Sequence, residues 1–79
     1  MASVNQVVRE RRLVWRGLKR QLKAVDTQVE KLERLQDRII ARRRKAPELE
    51  DLQEAVTIAR ELQTEVDRYA RILAAGYPA

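Results

Sequence analysis

Arg9, Arg12, Arg16, Lys19 and Lys23 recur at alternating steps of three and four, with Arg20 beside them. On a helix this spacing lines cations along one flank over roughly 21 Å. Within Arg9 to Lys23 the only acid is Glu10. Like charges so placed repel by roughly 0.2–0.5 kcal/mol per pair, so the segment is not optimised to stand alone as a helix. Phosphates of DNA or RNA would relieve the repulsion and release counterions. An acidic protein face would do the same, and Glu50, Asp51, Glu54, Glu61, Glu65 and Asp67 stud the C-terminal part of the chain. The six basic residues are therefore the candidate polyanion-binding group. No helix-turn-helix or zinc-finger spacing accompanies them, and Trp15, Tyr69 and Tyr77 are the only aromatics for base stacking. Any nucleic-acid contact is expected to be to the backbone, without sequence selectivity.

Other chemistry is sparse. Histidine and cysteine are absent, which removes the usual general bases, nucleophiles, thiolate ligands and disulfides. The two glycines, Gly17 and Gly76, are too far apart to form a phosphate-cradling loop. Glu30 and Glu33 beside Arg34 read as solubilising charges rather than an acid–base pair. The Glu-x-x-His element of helical di-metal sites cannot exist without histidine. Arg42, Arg43, Arg44 and Lys45 form a basic run, but Glu48, Glu50 and Asp51 follow closely and favour a helix-end role for it. The expectation is a protein without catalytic residues, cofactor or metal.

The elements that carry these residues follow from the apolar pattern. Between Val4 and Ile39, steps of four and three connect Val4, Val8, Arg11, Trp15, Leu18, Leu22, Val25, Val29, Leu32, Gln36 and Ile39. An average spacing of 3.5 keeps one seam of a helix against a partner helix. Ser3 and Gln6 have the capping-box relation, so a helix over residues 3–45 is predicted, roughly 65 Å long. Gly17 interrupts its composition at a cost of about 1 kcal/mol relative to Ala. The unbroken pattern on either side favours a continuous helix over a kink.

Pro47 restricts Ala46 away from helical geometry and suits the first position of a new helix. Acids in its first turn and bases in the last turn of the preceding helix both complement helix dipoles. The chain therefore reads as all-α: one domain over residues 1–79, an antiparallel, coiled-coil-like two-helix hairpin with a turn at 46–47. A second helix over 47–75 and a loose tail over 76–79 complete it, with Gly76 as a C-terminal cap. The expected inner face of the second helix is Leu49, Leu52, Val56, Ala59, Leu62, Val66, Tyr69 and Leu73, widened by Ala55, Ile58 and Ile72.

Folding back at residues 46 and 47 leaves the second helix shorter than the first. Val4, Val7, Val8, Val14, Trp15 and Leu18 are then expected to lack intrachain cover, and with Arg11 they are the candidate oligomer or partner interface. Two hairpins pairing into a four-helix bundle would cover them, which makes a homo-oligomer, most simply a dimer, the expected partner. An acidic protein and non-specific DNA or RNA are the other partners the pattern allows. Membrane binding is disfavoured, because the same stripe runs on into the core and no apolar run approaches the ~20 residues of a span.

Net charge is +5. It divides unevenly: residues 1–46 hold fourteen Arg or Lys against five acids, a balance of +9, whereas residues 47–79 hold three against seven, a balance of −4. Two segments of opposite sign suit pairing within or between subunits. With no signal-peptide pattern and no cysteine, a cytoplasmic or other intracellular setting is expected. The expected function is a structural or adaptor protein acting by coiled-coil-type self-association and partner docking. The alternative is a small basic nucleic-acid-binding or regulatory protein.

Overall fold

The computed structural model describes residues 4–42 and 46–76. Helix α1 spans Val4–Ala41 and helix α2 spans Leu49–Gly76. They pack antiparallel into a hairpin measuring 63 × 18 × 14 Å. α1 is continuous through Gly17, where an added Cβ would lie in ordinary contact, 3.9 Å from Ile72 Cγ2. The glycine therefore produces no break. The Ser3 cap, the Arg43 to Lys45 part of the basic run, and Tyr77 with the rest of the tail from 77 to 79 lie outside the described residues.

The turn between the helices is organised by Asp51. α1 closes with a tightened turn in which Arg42 N–H donates to the Ile39 carbonyl at 3.3 Å. Glu48 is the N-cap of α2, its carbonyl accepting from Leu52 N–H at 3.2 Å. The Glu48 N–H donates in turn to Asp51 Oδ2 at 3.1 Å, the side-chain half of a capping box. The same oxygen accepts from the Arg42 guanidinium at 2.5 Å. Asp51 is 3% exposed, so one buried carboxylate joins both helix ends. α2 consequently begins at Leu49, not at Pro47, because the carboxylate three residues after the cap sets the start. Pro47 belongs to the connection. α1 ends at Ala41, with Arg42 already in the turn, and Gly76 is the last residue of α2 rather than a cap beyond it.

Between the helices, α1 contributes Val14, Leu18, Gln21, Val25, Gln28, Leu32, Leu35 and Ile39, all buried or half-buried. α2 contributes Asp51, Ala55, Ile58, Leu62, Glu65, Tyr69, Ile72 and Gly76, also buried or half-buried. Both sets alternate by three and four, the a and d positions of a heptad. Polar residues occupy part of this seam. Gln21 Nε2 donates to the Glu65 carbonyl at 2.9 Å and to Glu65 Oε2 at 2.5 Å.

This seam differs from the expected one. On α1 the line of Leu18, Val25, Leu32 and Ile39 is shared, but its companion is Val14, Gln21, Gln28 and Leu35 rather than Trp15, Leu22, Val29 and Gln36. The helix is turned by roughly 50° about its axis, half the angle between successive residues. On α2, Leu49, Leu52, Val56, Val66 and Leu73 are exposed, against the expectation that they face inward. The close approach at Gly76 and the Gln21–Glu65 and Arg42–Asp51 contacts all lie on the observed side.

Candidate protein-interaction faces

In an antiparallel helix pair, the g positions of the two helices meet along one side of the seam and the e positions along the other. The g side is polar. Arg38 on α1 donates to Glu54 on α2 at 2.5 Å, and Lys31 and Glu61 line the same open groove of about 530 Å³. The Arg38–Glu54 pair is exposed on both sides and adds little stability.

The e side is apolar. On α1 it presents Val8, Trp15, Leu22 and Val29, and on α2 Leu52, Ala59, Val66 and Leu73, each set seven residues apart. Trp15 is 55% exposed, Leu22 45% and Val66 46%. Next to this line on α2 lie Leu49, Val56 and Ala70, also exposed. The hairpin thus carries a second heptad-spaced apolar surface beside its own seam. An extended face of this kind is characteristic of a protein–protein contact rather than of ordinary solvated surface.

The residues expected to form the interface divide between the two surfaces. Val4 is exposed on the arm of α1 that precedes Val14, and Val8 and Arg11 are exposed too. Val7 is half-buried. Trp15 stands open on the e side. Leu18, by contrast, is 3% exposed, covered by α2 of its own chain, and Val14 packs against Gly76. These last two belong to the intrachain seam, because α2 reaches further along α1 than symmetry about residues 46 and 47 implies. Leu22, Val29, Val66, Leu52 and Leu73 complete the open face, whereas the apolar spacing alone places them in the core. Their seven-residue spacing was visible, but it could not show which of two adjacent lines would face inward.

The six candidate polyanion-binding residues, Arg9, Arg12, Arg16, Lys19, Arg20 and Lys23, are all exposed. Among the described residues none of them pairs with an intrachain carboxylate. Three acids of α2 are engaged elsewhere: Asp51 with Arg42, Glu54 with Arg38, and Glu65 with Gln21 and Arg68. The Lys19 ammonium lies 5.9 Å from the centroid of the Trp15 ring, within cation–π range, so the basic and apolar surfaces meet at that residue.

Among the described residues, no group of three or more His, Cys, Asp or Glu converges as a metal site. No helix is long and apolar enough to cross a membrane. No protein-family model, curated protein or solved structure matches the chain.

Proposed function

We propose that this chain is a non-enzymatic structural or adaptor protein that works through coiled-coil-type self-association and partner docking. The observation that carries this reading is the exposed apolar line shared by both helices, centred on Trp15, Leu22, Val66 and Leu73. The sparse intrachain core supports it. Among the described residues only Leu18, Leu35 and Ile58 are buried apolar side chains, too few to hold a domain of this size without further burial. Association through the open face would add that burial and make stability depend on concentration. Sedimentation equilibrium over a wide concentration range tests the reading, with thermal melts at the same concentrations. A dimer whose melting temperature rises with concentration is expected. A monomer at every concentration, melting at one temperature, would count decisively against it.

The second reading is a small basic protein that contacts nucleic-acid phosphates through the N-terminal arm. It is favoured by the six exposed cations with no intrachain carboxylate partner. Its expected signature is binding of duplex DNA or RNA at low salt that weakens steeply as salt rises. Absence of a mobility shift at micromolar protein and low salt removes it.

A further inference from the structure

The cations of α1 are half of a longer stripe. The steps of three and four that connect Arg9 to Lys23 continue into Asp26, Glu30, Glu33 and Asp37. The stripe thus changes sign once, between Lys23 and Asp26, near the middle of Val4–Ala41. All of these acids are exposed, and only Glu30 has an ion-pair partner among the described residues, Arg34 at 3.9 Å. The apolar line beside the stripe is symmetric about nearly the same point. Trp15 and Val29 stand seven residues to either side of Leu22, and Val4 and Ile40 stand eighteen to either side.

A surface that is basic on one half, acidic on the other and apolar along its length is complementary to itself when reversed. We propose that a second copy of this chain docks on the e side head to tail, with a twofold axis passing beside Leu22 and Val66. The deduction rests on the self-association reading and specifies its geometry. Each Arg12 then faces Glu33 of the second copy and each Lys19 faces Asp26, since both pairs are centred between residues 22 and 23. Leu22 meets Leu22 across the axis, and Trp15 meets Val29.

The face is large enough. The twenty-eight residues of α2 give about 42 Å of paired helix. With the 18 Å breadth of the hairpin, the contact is roughly 750 Å² per copy, one side of a standard stable interface. The reversed arrangement also uses the arm that α2 does not reach. Val4 and Val8 of one copy lie over Ile40 and Gln36 of the other and beside Leu52, which is 50% exposed in the hairpin. Hairpins stacked in the same direction would leave both arms uncovered and bring two basic segments together at one end. A nucleic-acid backbone following the full stripe would meet four carboxylates beyond Lys23. The charge reversal therefore favours a second copy.

Single thiols test the geometry, because the chain contains no cysteine. Leu22→Cys and Val66→Cys are each expected to form a disulfide-linked homodimer on mild oxidation. Lys19→Cys and Asp26→Cys are expected to remain uncrosslinked separately and to crosslink when mixed. Reversing charge in Arg12→Glu/Lys19→Glu is expected to weaken the dimer about tenfold, and adding Asp26→Lys/Glu33→Arg to the same chain to restore it. A wild-type chain that stays monomeric overturns the self-association reading itself. A wild-type dimer in which Leu22→Cys joins only Val66→Cys overturns the head-to-tail docking and leaves self-association standing. A charge reversal that abolishes DNA or RNA binding without changing the molar mass does the same, and transfers the stripe to nucleic acid.

Discussion

Gly76 lies directly against Val14: a Cβ built on the glycine falls 2.6 Å from Val14 Cγ1 and 2.7 Å from Cγ2. Valine in a helix has one strongly preferred rotamer and cannot turn aside at little cost. Gly76→Ala is therefore expected to destabilise the hairpin by about 1–2 kcal/mol through overpacking, and Val14→Ala in the same chain to recover most of the loss. Gly17 supplies the contrast, since its added Cβ meets only Ile72 Cγ2 at 3.9 Å. Gly17→Ala should stabilise by about 1 kcal/mol through helix propensity. Urea melts followed by far-UV circular dichroism read all four chains. A harmless Gly76→Ala would mean that the end of α2 does not hold this position.

Asp51 joins the two helix ends by accepting from both Glu48 N–H and the Arg42 guanidinium. Asp51→Ala removes the capping contact and the ion pair together, and a loss of about 2 kcal/mol is expected. The loss stays small because the Arg42 side chain is 37% exposed and rehydrates when left alone. Asp51→Asn retains an acceptor for the cap and should lose about half as much. Equal losses for the two variants in a urea melt would show that the charge, not the cap, carries the effect.

Trp15 is the side chain on which the apolar and basic surfaces meet. With 55% of its surface exposed in the hairpin, Trp15→Ala should leave the helical signal of the assembled chain largely intact at high concentration. Affinity in the proposed dimer is expected to fall by about 2 kcal/mol, the loss typical of an aromatic anchor at an interface. Sedimentation and circular dichroism on the same samples separate the two effects. An unchanged dissociation constant places Trp15 outside the contact.

Much of this architecture is legible in the sequence. The spacing from Val4 to Ile39 gives the long helix, and Ala46 with Pro47 gives the reversal. The choice of inward line is not legible, for a physical reason. Trp15, Leu22 and Val29 are more apolar than Val14, Gln21 and Gln28, so hydrophobicity points to the line that the isolated hairpin leaves open. Asp51 and Glu65 likewise occupy seam positions that no apolar pattern marks, because each enters the seam through a specific partner, Arg42 or Gln21. The charge reversal at Lys23 and Asp26 is plain in the sequence, yet its meaning depends on knowing that it borders an uncovered apolar line. Symmetry about residues 46 and 47 ends α2 short of Leu18 and leaves it uncovered, whereas the observed register buries it.

Gln28 gives a test of the seam itself. Its Oε1 is buried and has no hydrogen-bond partner among the described residues, while Gln21, seven residues earlier, donates to two oxygens of Glu65. The two glutamines occupy the same line of α1 but make opposite contributions. A satisfied polar pair fixes register at modest cost, whereas an unsatisfied buried acceptor costs about 1–3 kcal/mol. Gln28→Leu should therefore stabilise the hairpin by about 1–2 kcal/mol without changing its register. Gln21→Leu should remove the Gln21 amide from Glu65 Oε2 and from the Glu65 carbonyl, leaving the carboxylate only its Arg68 contact at Oε1, and so destabilise the hairpin. Chemical melts of the two variants distinguish them. If both substitutions stabilise equally, the line through Gln21 and Gln28 is simply a polar interruption of the core and the Glu65 contact contributes nothing to alignment.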